Sequence, residues 1–561
     1  MADGTDAREP GRWARRPSGE VGYNAAAMPS PRHVAAGVGF VVLISLVPFV
    51  PLGDTAAFRP DDESFHLRIA AEMYDRGDIW VPTWFGRPAL NKPPLTYWLF
   101  FAGFAARGVN LAAARLPVAL LAVGTVLLTA LLGRSLYGTR AGLLAGLLTA
   151  TSLGAVEFGP VGMMDIPLCF LLTLAIYALV RALKTGNPAW GALFFAAAGV
   201  STLSKGPFSL FILGALAAAL GLRQRQKARD GLLHPLALAG AAAGALTVVA
   251  WPLALWTRGL FSQWYSFFVV HENLGKFEDV QYPWWIIGEY FLVFLLPWSP
   301  LVLAAAWTLA RGRAYRDLRV FLPLAWVLIV LLFHELPATK LKHYVLPAIP
   351  PAALLVAAVP PAWTGRRAMV LGRVGVQALL AIAAIALLGA GRIVPGAGDR
   401  LLVGGAIVAL LTAIWTLARP RSLVWAASAY GCALLLVLML LPAVSYSRLP
   451  REALPCFGSG AVAVVRQQVY VYSCDLGREV PQLTTRAEYL QALRNGAMVI
   501  VSDTDRHDLA GDRDAAGIEE VCSWPQWKRV LPPRAVVRAL ATGDTGGLVE
   551  RVRVLRASTT E

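Results

Sequence analysis

Ionisable side chains stand beside long apolar stretches at well-separated places in this sequence. They are Asp62, Glu63, Lys92, Asp165 and Lys205. A charged side chain at apolar depth in a membrane costs several kcal/mol unless it is paired or hydrated, so each is a candidate for a functional site. Carboxylates can orient or deprotonate a nucleophile, and lysines can bind a phosphate. Their recurrence in separate loops predicts one site assembled from distant parts of the chain.

The turn around Lys92 is the clearest candidate for binding an anion. Asn91 precedes the lysine, and Pro93 and Pro94 follow it. Proline fixes its backbone angle φ, so this turn presents a cation in a fixed place, which suits a phosphate. If Lys92 stood alone, the better interpretation would be a lysine that extends its ammonium group to a lipid headgroup. For the acidic pair, the alternative is capping of the helix that follows, because a helix N-terminus favours negative charge.

Two later polar loops, at 258–283 and 334–343, add residues of the same chemical types. They supply His271, Glu272, Lys340, His343 and Tyr344. Lysines with a tyrosine near a membrane surface suit a phosphate carried by a lipid. The carboxylates would orient or deprotonate an acceptor, or hold a divalent metal ion. The sequence contains no Walker loop, GxGxxG, HExxH or GxSxG in an appropriate context, which argues against an ATP-driven pump or a soluble-nucleotide enzyme.

The composition indicates which elements must position these residues. Hydrophobic residues make up 57% of the 561 residues and charged residues 15%, compared with about 25% charged in an ordinary soluble protein. This excludes a disordered chain, a cytosolic enzyme and a nucleic-acid-binding globule, and it predicts a multipass α-helical membrane protein. A helix needs about 20 residues to cross the bilayer core. About thirteen spans are predicted, at 34–51, 112–133, 140–156, 166–183, 189–203, 207–222, 235–257, 285–310, 320–334, 344–360, 369–389, 400–418 and 423–443.

The predicted spans divide the chain into three parts. We expect a disordered cytoplasmic tail at 1–33, a transmembrane catalytic region at 34–444 and a soluble unit at 445–561. The first outer loop, 53–111, is too long to be a simple connector. Within it, Ser64–Arg76 has the pattern of an amphipathic helix at the membrane interface, and 94–106 is predicted to be a second, short interfacial helix.

The net charge of +16 is mainly a signal of orientation. Arginine and lysine concentrate in alternate loops, whereas the acidic residues concentrate in the others. Because cytoplasmic loops carry the excess of basic residues, the N-terminus is predicted inside and the C-terminal unit outside the cytoplasmic membrane, in the periplasm or its equivalent. The basic charge therefore gives no reason to expect a nucleic-acid partner.

The C-terminal unit has the pattern of a small α/β fold. Val469–Tyr472 and Met498–Ser502 are predicted to be buried strands, and Thr485–Asn495 a helix between them. Alternation of strands and helices favours an α/β arrangement. A disulfide is expected among Cys456, Cys474 and Cys522, because this unit is predicted to lie outside the cell, and one of the three cysteines must then remain outside the bond.

The order of these motifs resembles a known family. The sequence has Asp62-Glu63, then Lys92-Pro93-Pro94, Met164-Asp165, Ser204-Lys205-Gly206 and the late segment Lys340–Pro350. Together they resemble the lipid-phosphate-sugar-dependent glycosyltransferases of the C superfamily (GT-C), in particular the aminoarabinose transferases that modify lipid A, and more distantly the protein O-mannosyltransferases. The resemblance covers roughly residues 34–445.

This resemblance implies an inverting transfer of a sugar from a polyprenyl-phosphate donor to an envelope acceptor. It implies that Asp62 and Asp165 are essential acids, and Glu63 is placed with them as a catalytic candidate. It further implies a donor-phosphate site made by Lys92, Lys205 and Tyr344. The remaining candidates for acceptor or loop contacts are Asn91, His271, Glu272, Lys340 and His343. Asn91 stands where the aminoarabinose enzymes commonly have Glu, so the sugar and the acceptor stay open, as does a divalent metal ion.

Two other classes of protein are compatible with intramembrane charges. A transporter or flippase would be expected to show inverted repeats and polar groups near the middle of the bilayer. The sequence shows no clear repeat, and its charged residues cluster at the outer ends of spans. A structural or assembly factor would use the outer loops only to dock a partner, which does not account for convergent lysines and carboxylates. The polyprenyl-phosphate transferase is therefore the preferred hypothesis.

Overall fold

The computed structural model of the protein describes residues 60–275, 282–390, 451–466, 469–510, 518–527 and 533–557, with the single positions 39, 405 and 449. Apart from positions 39 and 405, the predicted spans 34–51, 400–418 and 423–443 lie outside the described residues. The other ten predicted spans all fall on helical segments.

The first outer loop folds as two helices joined by a hairpin. Helix α1 is Pro60–Arg76, strands β1 and β2 are Thr83–Trp84 and Arg87–Pro88, and helix α2 is Leu95–Arg107. The predicted helix at 64–76 therefore begins four residues earlier, at a proline, which the first turn of a helix tolerates. The Glu72 carboxylate in α1 accepts a hydrogen bond from Thr83 Oγ1 at 2.8 Å, which ties the hairpin to the helix.

The region after this loop is a bundle of mostly apolar helices. Its α-helices are α3 Leu111–Tyr137, α4 Thr139–Ala150, α5 Leu153–Phe158, α6 Asp165–Thr185, α7 Pro188–Lys205, α8 Phe208–Gly221, α9 Arg225–Leu232, α10 Pro235–Trp256, α11 Phe261–Trp264, α12 Ile286–Phe294, α13 Ser299–Arg311, α14 Leu318–Glu335, α15 Ile349–Ala357 and α16 Arg367–Ala390. A π-helix, Tyr265–Leu274, continues α11, and 3₁₀ helices occupy Ala314–Arg316, Lys342–Ala348 and Pro361–Trp363.

Helix α6 is the centre of this bundle. Its most apolar 18-residue window is 78% buried by the protein itself, compared with 22% for α10. Beside it, α7 packs closely on α10 at Gly199 and Gly244, where a Cβ on Gly199 would lie 2.3 Å from the Gly244 carbonyl oxygen. Small residues permit this approach of two helix backbones, as is common in membrane helices. Asp165 is the first residue of α6, and Lys205 is the last residue of α7.

The number of membrane spans is only partly determined by the described residues. Five of their helices are long and apolar enough to cross a membrane, or six if the bent pair α12 and α13 forms one span. The span predicted at 285–310 is broken by a bend of 110° between these two helices, near Pro297, a residue that weakens a helix by removing a backbone hydrogen-bond donor. The span predicted at 344–360 is a 3₁₀ helix followed by the short α15. The count of thirteen therefore stays a prediction.

The described residues after 448 contain a five-stranded sheet. Its order is β4–β3–β5–β7–β6, with β3 parallel to β4 and β5, and β7 antiparallel to both of its neighbours. The strands are β3 Val462–Val465, β4 Gln482–Leu483, β5 Met498–Ser502, β6 Ile518–Trp527 and β7 Val549–Ala557, and the helices are α17 Val469–Leu476, α18 Arg486–Arg494, α19 Asp503–Ala510 and α20 Pro533–Thr542, preceded by a 3₁₀ helix at Arg451–Cys456.

One strand in this unit was wrongly predicted. The run Val469–Tyr472 is part of helix α17, and the strand that pairs with β5 is β3, seven residues earlier. A short apolar run fits a strand and a buried helix equally well, so its surroundings decide. The predicted helix and the strand Met498–Ser502 are present, and the helix begins with a capping box between Thr485 and Glu488.

The structure also assigns the disulfide and a contact between the two regions. Cys456 and Cys522 are bonded. Cys474 lies in α17 instead, and its thiol contacts the Ser64 carbonyl oxygen of α1 at 3.5 Å. The rings of Tyr470 and Phe65 are 4.5 Å apart at their centroids. Helix α17 therefore packs on the N-terminal half of α1, next to the acidic pair.

Candidate active site

A cavity of about 410 Å³ lies where α7, α8, α14, the π-helix and the turn at Lys92 meet. It contains four of the residues predicted from the sequence, contributed by four separate segments. These are Lys92, Lys205, Glu272 and Tyr344. The distant lysines are therefore brought to one place.

Lys205 and Asp165 form a pair at one end of this cavity. Asp165 begins α6 and Lys205 ends α7, where Gly206 (φ 115°) turns the chain through a conformation that other residues rarely adopt. The Lys205 ammonium group donates a hydrogen bond to the Asp165 carboxylate and lies 4.5 Å from the centroid of the Tyr344 ring. His343 Nε2 is 3.8 Å from the second Asp165 oxygen. A cation over an aromatic face is stabilised by the ring's quadrupole.

Lys92 and Glu272 form a second pair in the same cavity. The lysine donates a hydrogen bond to the Glu272 carboxylate, which belongs to the π-helix 180 residues further along the chain. Both side chains are about one-fifth exposed. Two lysines thus face one cavity, each beside a carboxylate that holds its charge in place. A ligand phosphate can replace a carboxylate as the partner of a lysine, since both are anionic oxygen acceptors.

The cavity also has an aromatic wall that the sequence interpretation did not identify. Phe333 stacks on Phe208 and Phe211 with centroid distances of 5.8 and 6.0 Å. Phe211 lines the cavity and is nevertheless 66% exposed on the outer surface of the bundle. This wall joins the lysines to the apolar surface of the bundle. In an apolar span the pattern of these phenylalanines is indistinguishable from ordinary lipid-facing residues, so the sequence offered no signal.

The acidic pair of α1 divides into two different environments. Glu63 is buried and accepts two hydrogen bonds from Arg115, both at 2.7 Å, and a third from the Gly162 backbone N–H at 2.7 Å. Its oxygens therefore already have strong donors, and its role as a catalytic acid stays a prediction. Asp62 is half-buried on the same helix. Arg115 was missed, although an arginine near the start of the apolar helix Leu111–Tyr137 was a usable signal.

The other predicted residues lie around the cavity rather than in its lining. His343 and Lys340 are buried, and Lys340 pairs with Glu335. His271 is exposed, and its Nδ1 lies 2.7 Å from the Ser266 carbonyl oxygen. The Asn91 amide oxygen is buried and accepts no hydrogen bond from the described residues. The Asn91 amide oxygen can therefore accept a hydrogen bond from a ligand.

A metal site can be tested only in the part of the chain that the structure describes. There, no three His, Cys, Asp or Glu side chains are grouped so as to hold a metal ion. The nearest carboxylates, Asp165 and Glu272, each have a lysine partner instead. A divalent metal ion therefore stays a prediction.

The fold is that of the solved protein ArnT. The structure matches the crystal structure of ArnT from Cupriavidus metallidurans bound to undecaprenyl phosphate with a TM-score of 0.68. The match covers 94% of this chain and 98% of that one, at 18% sequence identity. The described region also contains several helices apolar and long enough to cross a membrane. The fold class predicted from the sequence is thus confirmed in its membrane region.

The sequence relatives point to the same kind of protein. The family model described as dolichyl-phosphate-mannose-protein mannosyltransferase matches residues 91–256, which include Lys92, Asp165 and Lys205. The undecaprenyl phosphate-α-4-amino-4-deoxy-L-arabinose arabinosyl transferase of Pseudomonas aeruginosa is 32% identical over 330 residues, 56% of this chain and 58% of the relative. That of Pectobacterium atrosepticum is 28% identical over 466 residues, 78% of this chain and 81% of the relative.

The resemblance inferred from the motifs is confirmed by these relatives. The chain spans somewhat more than half the length of the Pseudomonas relative it matches. The relatives are named as transferases of a sugar carried by undecaprenyl phosphate.

Proposed function

We propose that this protein is an integral-membrane glycosyltransferase that moves a sugar from a polyprenyl-phosphate donor to an acceptor of the cell envelope. The observation that carries this proposal is the cavity in which Lys92 and Lys205 stand together beside an aromatic wall. Cations suit the phosphate of the donor, and the apolar wall suits its hydrocarbon chain. The relatives and the structural match are named for the same donor chemistry.

The two lysines stabilise the leaving group. During transfer, the bond between the sugar C1 and the donor phosphate oxygen breaks, and a bond from C1 to the acceptor oxygen forms with inversion. Negative charge develops on the departing polyprenyl phosphate, and Lys92 and Lys205 offset it. The Tyr344 ring, with its centroid 4.5 Å from the Lys205 ammonium group, stabilises the charge of that lysine. No ATP is needed, because the donor phosphate ester is already activated.

The acidic residues act on the acceptor. If the acceptor is a hydroxyl, Asp62 takes its proton as a general base. If the acceptor is a phosphate, it is already anionic, and Asp62 orients it without removing a proton. Asp165 positions Lys205 through their ion pair. Glu63 positions α1, and so Asp62, through Arg115. The acceptor is a lipid A-type glycolipid, another glycan or a protein.

The site faces the outer side of the cytoplasmic membrane in this proposal. The N-terminus is then cytoplasmic, and the sheet after residue 448 is extracytoplasmic, where the disulfide between Cys456 and Cys522 would be stable. A cysteine introduced next to Glu561 is expected to react with a membrane-impermeant thiol reagent added outside the cell. Labelling from the cytoplasmic side alone would refute this orientation.

Two substitutions test the site directly. Lys92→Ala and Asp62→Asn are each expected to abolish sugar transfer by the purified protein in lipid nanodiscs while its unfolding temperature is kept. Lys342→Met is the matched control, since Lys342 is a lysine of the same outer region that pairs with Glu157 and does not line the cavity. Normal transfer by either site variant would overturn the assignment.

The sugar and the acceptor can be identified in one experiment. Envelope lipids and glycans from cells with and without the gene are compared by mass spectrometry. A mass increment that depends on the gene, and that is lost with Lys92→Ala, identifies both. If no envelope component changes mass while the protein is expressed in the membrane, the transferase proposal fails.

A further inference from the structure

His66 is a buried polar residue to which the proposed mechanism gives no role. It lies in α1 four residues after Asp62, so both side chains are on the same face of the helix. The side chain is 6% exposed. Its Nδ1 is 3.3 Å from the Tyr97 hydroxyl of α2, and the two ring centroids are 5.9 Å apart. Tyr97 itself is fully buried, so this contact fixes the orientation of the imidazole.

The charged groups of the cavity are near enough to act electrostatically on this histidine, which lies behind the cavity lining. The charges of Lys92, Lys205, Asp165 and Glu272 all act on it. Burial and then the two lysines lower the pKa of His66 to about 3, against the opposing effect of the carboxylates. The imidazole is therefore neutral at physiological pH. It is an uncharged hydrogen-bonding group within electrostatic reach of the charged residues of the cavity.

A neutral group in this position suits a different part of the donor from the lysines. The phosphate has charged partners in Lys92 and Lys205, whereas a sugar hydroxyl can both donate and accept a hydrogen bond and needs no charge. Tyr97 contacts Nδ1, and Nε2 has no hydrogen-bond partner among the described residues. Nε2 is thus the nitrogen with capacity for a ligand.

We infer that His66 binds a hydroxyl group of the donor sugar, held in orientation by Tyr97, and so distinguishes a sugar-linked lipid phosphate from the bare lipid phosphate. The inference rests on the proposed function, because it places the sugar beside Asp62 and the phosphate at the lysines. His66 acts on binding of the sugar, and it takes no proton from the acceptor.

The test separates binding of the sugar from binding of the phosphate. Affinities are measured for two probes, undecaprenyl phosphate and undecaprenyl phosphate-α-4-amino-4-deoxy-L-arabinose, with the purified protein in nanodiscs. Wild type is expected to prefer the sugar-linked probe. His66→Phe is expected to reduce this preference about tenfold, the loss of about one hydrogen bond, with the affinity for bare undecaprenyl phosphate unchanged within about twofold. His66→Gln, which keeps a neutral hydrogen-bonding group, is expected to restore most of the preference.

The outcomes separate this inference from the function on which it rests. An unchanged preference in His66→Phe would overturn the inference, as would an equal loss of affinity for both probes, since that would show a purely structural role. Failure of wild type to transfer sugar, with the preference for the sugar-linked probe intact, would instead overturn the proposed transferase and leave a sugar-lipid binding site at His66.

Discussion

Two buried ion pairs of this protein, Glu63–Arg115 and Asp165–Lys205, each join a carboxylate to a cation, but they differ in the access that they leave for a ligand. Glu63 and Arg115 are each 3% exposed and are joined by two hydrogen bonds, and the carboxylate has a third donor in the Gly162 backbone N–H. Asp165 and Lys205 are 4% and 12% exposed, and the lysine also faces a cavity and an aromatic ring. We call Glu63–Arg115 the closed pair, because both of its side chains are buried in the protein. We call Asp165–Lys205 the open pair, because its lysine also lines a cavity.

This difference in access shows how a pair of a carboxylate and a cation can contribute to stability in one place and to ligand binding in another. A buried carboxylate that already has three hydrogen-bond donors has little capacity for a ligand, and removing its cationic partner leaves an uncompensated charge. An ammonium group at a cavity wall can exchange one anionic partner for another, and it remains within reach of water. The open pair is therefore the one that fits a phosphate. Each of the following predictions tests one side of this comparison.

The largest expected effect is on the closed pair. Arg115→Met leaves the Glu63 carboxylate buried without its cation, and we expect the free energy of unfolding to fall by about 3–5 kcal/mol. Denaturant unfolding of the purified protein in detergent measures the loss. The double variant Glu63→Gln, Arg115→Met is expected to recover most of it, because neither buried charge remains. If Arg115→Met unfolds like wild type, the closed pair is not structural.

The open pair is expected to lose binding more than stability. Lys205→Met should weaken the affinity for undecaprenyl phosphate by about 10–100-fold, as expected for one charge-assisted hydrogen bond. Its unfolding should change less than that of Arg115→Met, because the cavity admits water and His343 lies 3.8 Å from Asp165. Lys342→Met is again the control and should bind like wild type. Equal stability losses in the Lys205 and Arg115 variants would remove the distinction between the pairs.

A third prediction concerns the neutral imidazole of His66. The pKa of His66 is lowered in the folded protein from 6.5 to about 3. The unfolded chain therefore binds a proton first, and stability is lost as the pH falls through 6.5. Between pH 8 and pH 5 the loss from this one group amounts to about 2 kcal/mol. His66→Phe should flatten this part of the stability curve, and an equally steep curve in that variant would show that other groups cause it.

The smallest expected effect is at the aromatic ring beside Lys205. Tyr344→Leu removes the ring that the ammonium group faces, whereas Tyr344→Phe keeps it. We expect the Leu variant to bind undecaprenyl phosphate more weakly than the Phe variant by about 0.5–1 kcal/mol, the usual size of a cation–π contact near solvent. Titration of both variants with this lipid provides the measurement. Equal affinities would mean that the ring contributes only through packing.

Much of the membrane region could be predicted from the sequence. Apolar segments of sufficient length dictate helices wherever they occur, because an unpaired backbone polar group in lipid costs several kcal/mol. For the same reason Lys92, Asp165 and Lys205 could be recognised as functional candidates without any structure. The predicted spans that lie in the described region fall on helical segments because each apolar segment must satisfy its own backbone hydrogen bonds.

Short segments were less predictable, because their neighbours decide their conformation. Val469–Tyr472 has the residues of a strand, yet it forms a helix that packs on α1 through Tyr470. The span at 285–310 was predicted as a single apolar span, and the chain bends within it by 110° near Pro297. Proline alone did not signal this bend, because Pro117, Pro252 and Pro323 lie inside continuous helices.

The sequence by itself determined the helical class, the polar positions along the chain and the chemical types available for a phosphate site. Only the tertiary structure decided which charges meet. It paired Glu63 with Arg115, separated from it by 52 residues, and Lys92 with Glu272, separated by 180. Ion pairing depends on distances of a few ångströms, whereas sequence spacing carries no such information once several helices intervene. The two neighbouring acids, Asp62 and Glu63, therefore received different roles that their adjacency in the sequence concealed.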